Sequence, residues 1–393
     1  MHGPVHIVGG ARTPMTRHVG MFKDLSAIEL GAIASRAAMD RSGVEPAWID
    51  HVVFGNVQQT SSDAIYGARH VGLKAGLPIE VPALTVNRLC GSGLQAAVTG
   101  AQHLQLEEAE VVLAGGMENM TQAPHVVRGM RSGLRLGNGE LEDSLWSGLL
   151  DPVSGCTMAD TAENCAAEYG IDRAAQDAYA LRSQQLAARA WDEGRLGEEV
   201  VPVEVETRKG PVTVARDDHL RPDTTLDTLA SLPPAFTKDG TVTAGNASGI
   251  VDGGAALVLA SEAAVERRAL SPLGRLVGWA VTGVEPRLMG LGPVPATRQL
   301  LEKAGLSLGD IDLVEVNEAF AGQYLAVEQA LALDRDRVNV NGGAIALGHP
   351  LGMTGTRLLL TLLLELRRRG LRRGIATACI GGGQGIAALV EAA

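Results

Sequence analysis

The chain has 393 residues, 46% of them hydrophobic and only 3% aromatic, which indicates two or three packed units with an aliphatic core. Its formal net charge of −11 argues against a nucleic-acid-binding surface. No apolar run approaches the roughly 20 residues that a membrane-spanning helix needs, so we predict no membrane partner.

The N-terminus enters a predicted strand almost at once, at Val5 to Val8, which leaves no room for a leader peptide. The four cysteines, Cys90, Cys156, Cys165 and Cys379, have neither the spacing of metal ligands nor the density of a disulfide framework. We therefore expect a cytoplasmic protein with free thiols and no metal.

The chain repeats itself. Residues 41–56 align without a gap with residues 303–318, at an offset of 262, and each copy reads as a helix end, a short loop and a buried strand. Later elements follow in the same order, and Cys90 and His349 each open a predicted helix. Because each half alternates strand and helix, we predict a duplicated α/β fold whose sheets are mainly parallel and covered by helices.

Residues 121–249 do not repeat, are richer in polar residues, and contain a predicted helix at about 160–194. We expect them to form an inserted loop domain that covers the site. The N-terminal half then comprises 1–120 and 250–270, where a strand and a helix return, and the C-terminal half comprises 271–393.

Four polar residues fall where such a fold carries its chemistry. Ligands bind beyond the carboxyl ends of strands in open sheets, and Cys90, Asn317, His349 and Cys379 are all predicted to lie at such ends. Two of the four residues, Cys90 and Cys379, are cysteines in glycine-rich turns. The pattern predicts a thiol enzyme whose site draws on both halves.

Cys90 is the candidate nucleophile. It precedes Gly91-Ser92-Gly93 at a predicted helix start, where unpaired N–H groups and the helix dipole favour a thiolate. The alternative is a buried structural thiol, which is the commonest state of a free cysteine.

The other three residues have complementary chemistry. His349 precedes Pro350, which suits the first position of a helix, and an imidazole there is favoured in its neutral form. Cys379 precedes three glycines; a thiol with an ordinary pKa of about 8.5 suits proton transfer beside a thioester carbonyl, with a redox role as the alternative. Asn317 can position a water or an imidazole, or it can satisfy core backbone.

At these residues the chain resembles the thiolase family. The resemblance is carried by four segments in order: Cys90 to Gly93, Asn317 to Phe320, Gly348 to Gly352, and Cys379 to Gly383. It extends from about Ala11 to the C-terminus. Residues 141–146, 239–249 and 314–320 look most like the broad-range mitochondrial branch of that family.

The resemblance implies an acyltransferase that cleaves 3-ketoacyl-CoA with coenzyme A, as in fatty acid β-oxidation, or condenses two acetyl-CoA. In that family's scheme Cys90 takes the acyl group and is activated by His349, while Cys379 moves the proton at the α-carbon. His349, with a water held by Asn317, stabilises the enolate. The N–H groups of Cys90 and Gly381 stabilise the tetrahedral oxyanion.

Coenzyme A is implied as a substrate, with no permanently bound cofactor, and the family forms dimers and often tetramers, so a homotetramer built as a dimer of dimers is expected. The positions that match its acyl-CoA contacts are Leu149, Met158, Arg221, Thr228, Phe236, Ala244, Ser248, Met289, Ala319 and Phe320.

Two departures from the family pattern bear on acyl chain length. Short-chain biosynthetic thiolases have histidine where this chain has Thr157, and most members have a small residue where it has Met353. A missing imidazole widens an acyl pocket and a long side chain beside His349 narrows it, so the sequence leaves chain length open.

Three rival functions remain at this stage. A decarboxylating ketoacyl synthase would use a second histidine in place of Cys379, and a cysteine hydrolase of acyl-CoA would need Cys90, His349 and Asn317 but not Cys379. A non-enzymatic binding protein would lack one of the reacting groups. Regulation by a disulfide between Cys90 and Cys379 is a further alternative.

Overall fold

The computed structural model describes residues 3–393. The strands are β1 Val5–Arg12, β2 Thr16–Arg17, β3 His51–Gly55, β4 Ala83–Val86, β5 Val111–Glu118, β6 His125–Val126, β7 Glu142–Asp143, β8 Leu150–Asp151, β9 Cys156–Thr157, β10 Val203–Thr207, β11 Gly210–Val214, β12 Val251–Ser261, β13 Gly274–Gly283, β14 Leu313–Val316, β15 Arg373–Ile380 and β16 Gln384–Ala392.

The helices are α1 Ala27–Ser42, α2 Gly67–Lys74, α3 Ser92–Gln105, α4 Ser144–Gly148, α5 Met158–Glu168, α6 Arg173–Asp192, α7 Arg195–Glu199, α8 Leu226–Ala230, α9 Glu262–Arg268, α10 Pro293–Ala304, α11 Ala321–Leu331, α12 Ala344–Leu347 and α13 Leu351–Arg369. Within residues 3–393, none of them combines the length and the apolar composition that a membrane crossing requires.

One large sheet runs through the molecule in the order β14-β15-β16-β13-β1-β12-β5-β3-β4, with β2 paired to β12. Only β3 with β4, β3 with β5, and β14 with β15 are parallel. The remaining pairs are antiparallel. The expectation of mainly parallel sheets is therefore wrong. The last strands of each half run antiparallel to the strands next to them. For example, β16 follows β15 through a short turn, which an antiparallel pair allows and a parallel pair does not.

The duplication is confirmed by the topology. The order β3-β5-β12-β1 in the N-terminal half has the same strand directions as β14-β15-β16-β13 in the C-terminal half. The halves join where residues 5–7 of β1 pair with residues 274–276 of β13.

The helices complete a layered architecture. Helices α3 and α13 pack against each other between the halves, and both also pack on β5. Helix α1 covers β1 and β12, and α10 covers β13 and β16. Each half contributes one part of the large sheet, and each part lies between an outer helix, α1 or α10, and the central pair α3 and α13. This layering agrees with the duplicated α/β fold expected from the sequence.

Glycines let the two central helices approach through their backbones. A Cβ atom at Gly355 of α13 would lie 2.2 Å from the backbone nitrogen of Leu94 in α3, and one at Gly93 would lie 2.5 Å from the nitrogen of Thr356. The glycines on both sides of this contact therefore set the spacing between the halves.

Residues 119–250 lie between β5 and β12 and form two-stranded pairs of their own. The single helix predicted at 160–194 is wrong, because Gly170 takes a φ of 64° and the chain forms two helices, α5 and α6. The fully buried Arg12 of β1 ties this region to the large sheet. Its guanidinium donates to Asp217 at 2.7 Å and to Glu199 at 2.6 Å.

We predict that Gly355→Ala lowers the free energy of unfolding by about 1–3 kcal/mol, because the methyl group forces the backbones of α3 and α13 apart. Gly72→Ala in α2 is the control, since its Cβ would meet no backbone atom, only methyl carbons of Val52 at 3.3 Å and Leu77 at 3.7 Å. Thermal and urea unfolding of the two variants compare them. A Gly355→Ala protein as stable as the parent would contradict the packing argument.

Candidate active site

Cys90 sits in a tight turn between β4 and α3. Leu89 has a φ of 46°, a left-handed conformation that residues other than glycine rarely adopt. Ser92 holds the turn: its hydroxyl donates to the carbonyl of Leu89 at 2.7 Å and accepts from the backbone N–H of Arg88 at 2.9 Å. The Cys90 thiol is half-buried, and the backbone N–H groups of Gly381 and of Cys90 itself are placed to hydrogen-bond its sulfur.

The prediction that the helix start favours a Cys90 thiolate is wrong for the free protein. Burial raises the pKa of Cys90 to about 11, and the two backbone N–H groups only partly offset this. Helix α3 also begins two residues later, at Ser92. The thiol therefore keeps its proton until a base removes it.

His349 lies between α12 and α13, rather than after a strand of the large sheet as predicted. Gly348 turns the chain with a φ of 98°, and a Cβ there would lie 2.4 Å from a methyl carbon of Val251. The backbone N–H of His349 donates to the carbonyl of Gly249 at 2.9 Å. Pro350 caps α13 and is not its first residue, which corrects another detail of the prediction.

The hydrogen bonds of His349 assign its tautomer. The hydroxyl of Thr354 donates to the carbonyl of Pro350 at 2.9 Å, so it must accept from Nδ1 of His349 at 2.6 Å. Burial lowers the pKa of His349 to about 3, and the positive charge of Arg357 lowers it further. The imidazole is thus neutral, as predicted, and its Nε2 carries the lone pair, which faces the amide nitrogen of Asn317 and can accept a proton.

Asn317 and Cys379 are brought side by side by the parallel pair β14 and β15. The backbone N–H of Asn317 donates to the carbonyl of Thr377 at 2.9 Å, and its Nδ2 lies 3.3 Å from Nε2 of His349. Its Oδ1 is buried and has no partner among residues 3–393. An unpaired amide oxygen at this point suits a hydrogen-bonded water or substrate.

The Cys379 side chain has no exposed surface. Burial raises its pKa well above that of an ordinary thiol, and the proximity of Cys90 adds to the shift. Cys379 therefore stays protonated in the free site, where it can act as a proton donor.

A cavity of about 520 Å³ opens beside these groups and is lined by His349 and Leu351. Six predicted substrate contacts line it: Leu149, Arg221, Phe236, Ala244, Ser248 and Phe320. Thr228 lines an adjoining pocket together with Arg221 and Ala244. Met158, Met289 and Ala319 do not line either space but pack in the apolar cluster around Cys379.

The two departures from the family pattern have structural explanations. The Thr157 side chain caps α5 by accepting from the backbone N–H of Asp160 at 3.1 Å. The Met353 side chain is fully buried in a core cluster with Met15 and Leu347, and it does not line the cavity. Met353 therefore does not narrow this cavity.

Sequence reasoning missed Thr354 and the structural role of Glu318. Glu318 is fully buried and accepts from the hydroxyls of Tyr179 at 2.6 Å and Ser183 at 2.7 Å, and from the backbone N–H of Ile345 at 3.1 Å. It fixes the segment that leads into His349. A carboxylate directly after Asn317 in an otherwise apolar stretch was the available signal.

Within residues 3–393, no group of three histidine, cysteine, aspartate or glutamate side chains is placed to hold a metal ion. The site is thus built from two thiols, one neutral imidazole, one amide and backbone N–H groups. That set can form a covalent thioester and move a proton next to it.

Two family models match the chain: thiolase, N-terminal domain, over residues 5–263, and thiolase, C-terminal domain, over residues 270–392. The human protein "3-ketoacyl-CoA thiolase, mitochondrial" is 55% identical over 388 residues, which are 98% of each chain. An "acetyl-CoA acetyltransferase" of Rhizobium meliloti (strain 1021) is 49% identical over 386 residues, again 98% of each.

The crystal structure of human mitochondrial 3-ketoacyl-CoA thiolase in complex with CoA superposes with a TM-score of 0.97 at 54% identity, covering 100% of this chain and 98% of that one. The human relative is named as mitochondrial, and this contradicts our prediction of a cytoplasmic location. Sparse free cysteines indicate reducing surroundings and do not identify a compartment.

We predict that Thr354→Val slows alkylation of Cys90 by iodoacetamide at neutral pH about tenfold, the effect of losing one hydrogen bond that fixes the base. Without the hydroxyl, the proton of His349 moves freely to Nε2, which then cannot accept from Cys90. Thr354→Ser is the matched control and retains the parent rate. Equal rates for Thr354→Val and the parent would contradict the assigned tautomer.

Proposed function

Because the chain belongs to the thiolase family, we propose that it cleaves 3-ketoacyl-CoA with coenzyme A to acetyl-CoA and a shortened acyl-CoA, and condenses two acetyl-CoA in reverse. The observations that support this proposal are the backbone N–H of Gly381 placed on the sulfur of Cys90, and the 3.3 Å between Nδ2 of Asn317 and Nε2 of His349. The first links the two halves, and Cys90 also lies close enough to Cys379 to raise its pKa. Fatty acid β-oxidation is the proposed setting, and coenzyme A enters as a substrate, not as a resident cofactor.

In the first half-reaction, Nε2 of His349 takes the proton of Cys90 as the sulfur attacks the 3-keto carbonyl. The bond between the α-carbon and that carbonyl carbon then breaks. The acyl group stays on Cys90 as a thioester, and the enolate of acetyl-CoA leaves with the bonding electrons. The protonated state of Cys379 supports its role as the acid that delivers a proton to the α-carbon.

In the second half-reaction, the thiol of coenzyme A gives its proton to the Cys379 thiolate and attacks the Cys90 thioester. Shortened acyl-CoA is released, and the Cys90 thiolate recovers its proton from His349. Each proton that leaves one sulfur arrives on another group of the site, so the cycle closes without an added acid or base.

Developing negative charge on oxygen is proposed to be stabilised at two places. The backbone N–H groups of Cys90 and Gly381, which flank the Cys90 sulfur, suit the tetrahedral oxyanion. Nε2 of His349 and a water held by the free Oδ1 of Asn317 suit the enolate oxygen.

We propose that residues 121–249 form the loop domain that holds coenzyme A over the N-terminal half (1–120 and 250–270) and the C-terminal half (271–393). This is supported by the cavity, which is lined both by Leu149, Arg221 and Phe236 from that region and by Phe320 and His349 from outside it. The apolar cluster around Cys379, with Met289 and Ala319, is proposed to receive the acyl end.

A homotetramer built as a dimer of dimers is also proposed. Strand β4 is an edge of the large sheet, and its Leu84 is 42% exposed. Unpaired edge strands with exposed apolar side chains suit pairing with a second copy. The segment 127–141 presents further exposed apolar side chains, Val127, Met130, Leu134, Leu136 and Leu141, which supports a second contact.

Cys379 distinguishes the proposed function from its two rivals. A hydrolase of acyl-CoA would release free acid and would not depend on Cys379, and a decarboxylating synthase would need a second histidine in its place. Neither is favoured by an observation here.

We expect Cys379→Ala to lower thiolysis of acetoacetyl-CoA by at least about 100-fold, the usual contribution of a general acid, while exchange of acetyl groups between acetyl-CoA and labelled coenzyme A continues. Cys90→Ser is expected to abolish both. Cys156→Ser, at a half-buried thiol outside the cavity, is the control. Full thiolysis by Cys90→Ser, or equal loss of both activities in Cys379→Ala, would contradict the division of roles.

A further inference from the structure

Basic side chains gather around the cavity of an otherwise acidic chain. The charged basic residues that line the cavity are Arg17 and Arg221, since burial lowers the pKa of His219 to about 4 and leaves that imidazole neutral, as it does for His349. The formal net charge of the whole chain is −11. Asp143 is the one carboxylate in the lining, and its Oδ1 caps α4 by accepting from the backbone N–H of Leu145 at 2.9 Å. The local charge of the cavity therefore has the opposite sign to that of the whole chain.

Arg17 is held firmly with respect to the catalytic imidazole. It pairs with Val251 where β2 meets β12, and the backbone N–H of His18 donates to the carbonyl of Ile250 at 3.1 Å. The adjacent residue Gly249 accepts the backbone N–H of His349. The backbone of residues 249–251 therefore connects Arg17 to His349.

The Arg17 guanidinium is free to bind a ligand. The side chain is exposed, and within residues 3–393 no carboxylate lies within ion-pair distance of it. The nearby Asp218 is bound to the backbone N–H of Arg17. Arg17 lines both the cavity and a neighbouring groove, which places it at the rim of the cavity.

We propose that Arg17 binds a phosphate group of the coenzyme A moiety and thereby selects coenzyme A thioesters over thioesters that lack phosphate. A guanidinium offers five N–H donors in a rigid fork that matches phosphate oxygens. This inference rests on the proposed function, because the thioester must lie with its carbonyl at His349. Two sources share the chemistry: the diphosphate bridge and the 3′-phosphate of the ribose.

The test measures kcat and KM of the parent, Arg17→Ala and Arg17→Lys with three substrates: acetoacetyl-CoA, acetoacetyl-dephospho-CoA and S-acetoacetyl-pantetheine, with coenzyme A as the second substrate in every case. For Arg17→Ala we expect KM for acetoacetyl-CoA to rise about tenfold, the effect of one charge-assisted hydrogen bond, with kcat little changed. KM for the pantetheine thioester should stay at the parent value, and Arg17→Lys should recover part of the loss.

Arg208→Ala is the matched control. Arg208 is exposed on the turn between β10 and β11 and lines the neighbouring groove but not the cavity, so its loss removes the same charge without the proposed contact. Thermal unfolding checks that each variant is folded.

Acetoacetyl-dephospho-CoA, which lacks the 3′-phosphate, shows which phosphate Arg17 binds. If Arg17→Ala does not raise the KM for this substrate, Arg17 binds the 3′-phosphate; if it still raises the KM, Arg17 binds the diphosphate. An unchanged KM for acetoacetyl-CoA, an equal rise for the pantetheine thioester, or an equal effect of Arg208→Ala would overturn the inference. A parent protein without thiolysis activity would instead refute the proposed function.

Discussion

The site depends on the crossing of α3 and α13, where the two halves of the molecule touch backbone to backbone. Helix α3 begins just after Cys90, and α13 begins just after His349, so the distance between the helices sets the distance between the proposed nucleophile and the proposed base. Gly93 and Gly355 make that distance possible because neither position has room for a Cβ atom. The glycines near Cys90 and His349 thus serve packing as well as access to the thiol.

Burial decides the protonation states of the reacting groups. Removal from water raises the pKa values of Cys90 and Cys379 and lowers that of His349, so in each case the neutral form is favoured. The site therefore begins as a thiol, a thiol and an imidazole, not as an ion pair. In the proposed mechanism, protons pass between groups of the site and the substrate, and the backbone N–H groups act on the charge that develops during the reaction.

Much of this arrangement was predictable from the sequence. The internal repeat gave the two halves, and the glycine-rich turns marked Cys90, His349 and Cys379, because thiols and imidazoles at such turns stand at element ends. The strand and helix at 251–268 also match β12 and α9. The antiparallel strands of each half were missed, because the alternation of strand and helix in the sequence does not show in which direction the last strands of a half run.

Other features depend on contacts that only the folded chain reveals. The hydroxyl of Thr354 reaches His349 because α13 starts at Leu351, and Met353 turns into the core because Met15 and Leu347 pack there. The burial that raises the pKa of Cys90 likewise comes from residues distant in the sequence, among them Leu145 and Leu351. Local sequence patterns indicate where a helix begins, but they do not indicate how deeply the first residues of that helix are buried.

The central claim is that one sulfur, that of Cys90, carries the acyl group between the two half-reactions. Incubation with acetyl-CoA alone, an acid quench and peptide mapping by mass spectrometry test it most directly. The account predicts an acetyl group on the peptide that contains Cys90 and its removal when coenzyme A is added before the quench. An acetyl group on Cys379 instead, or turnover without any acylated cysteine, would contradict it.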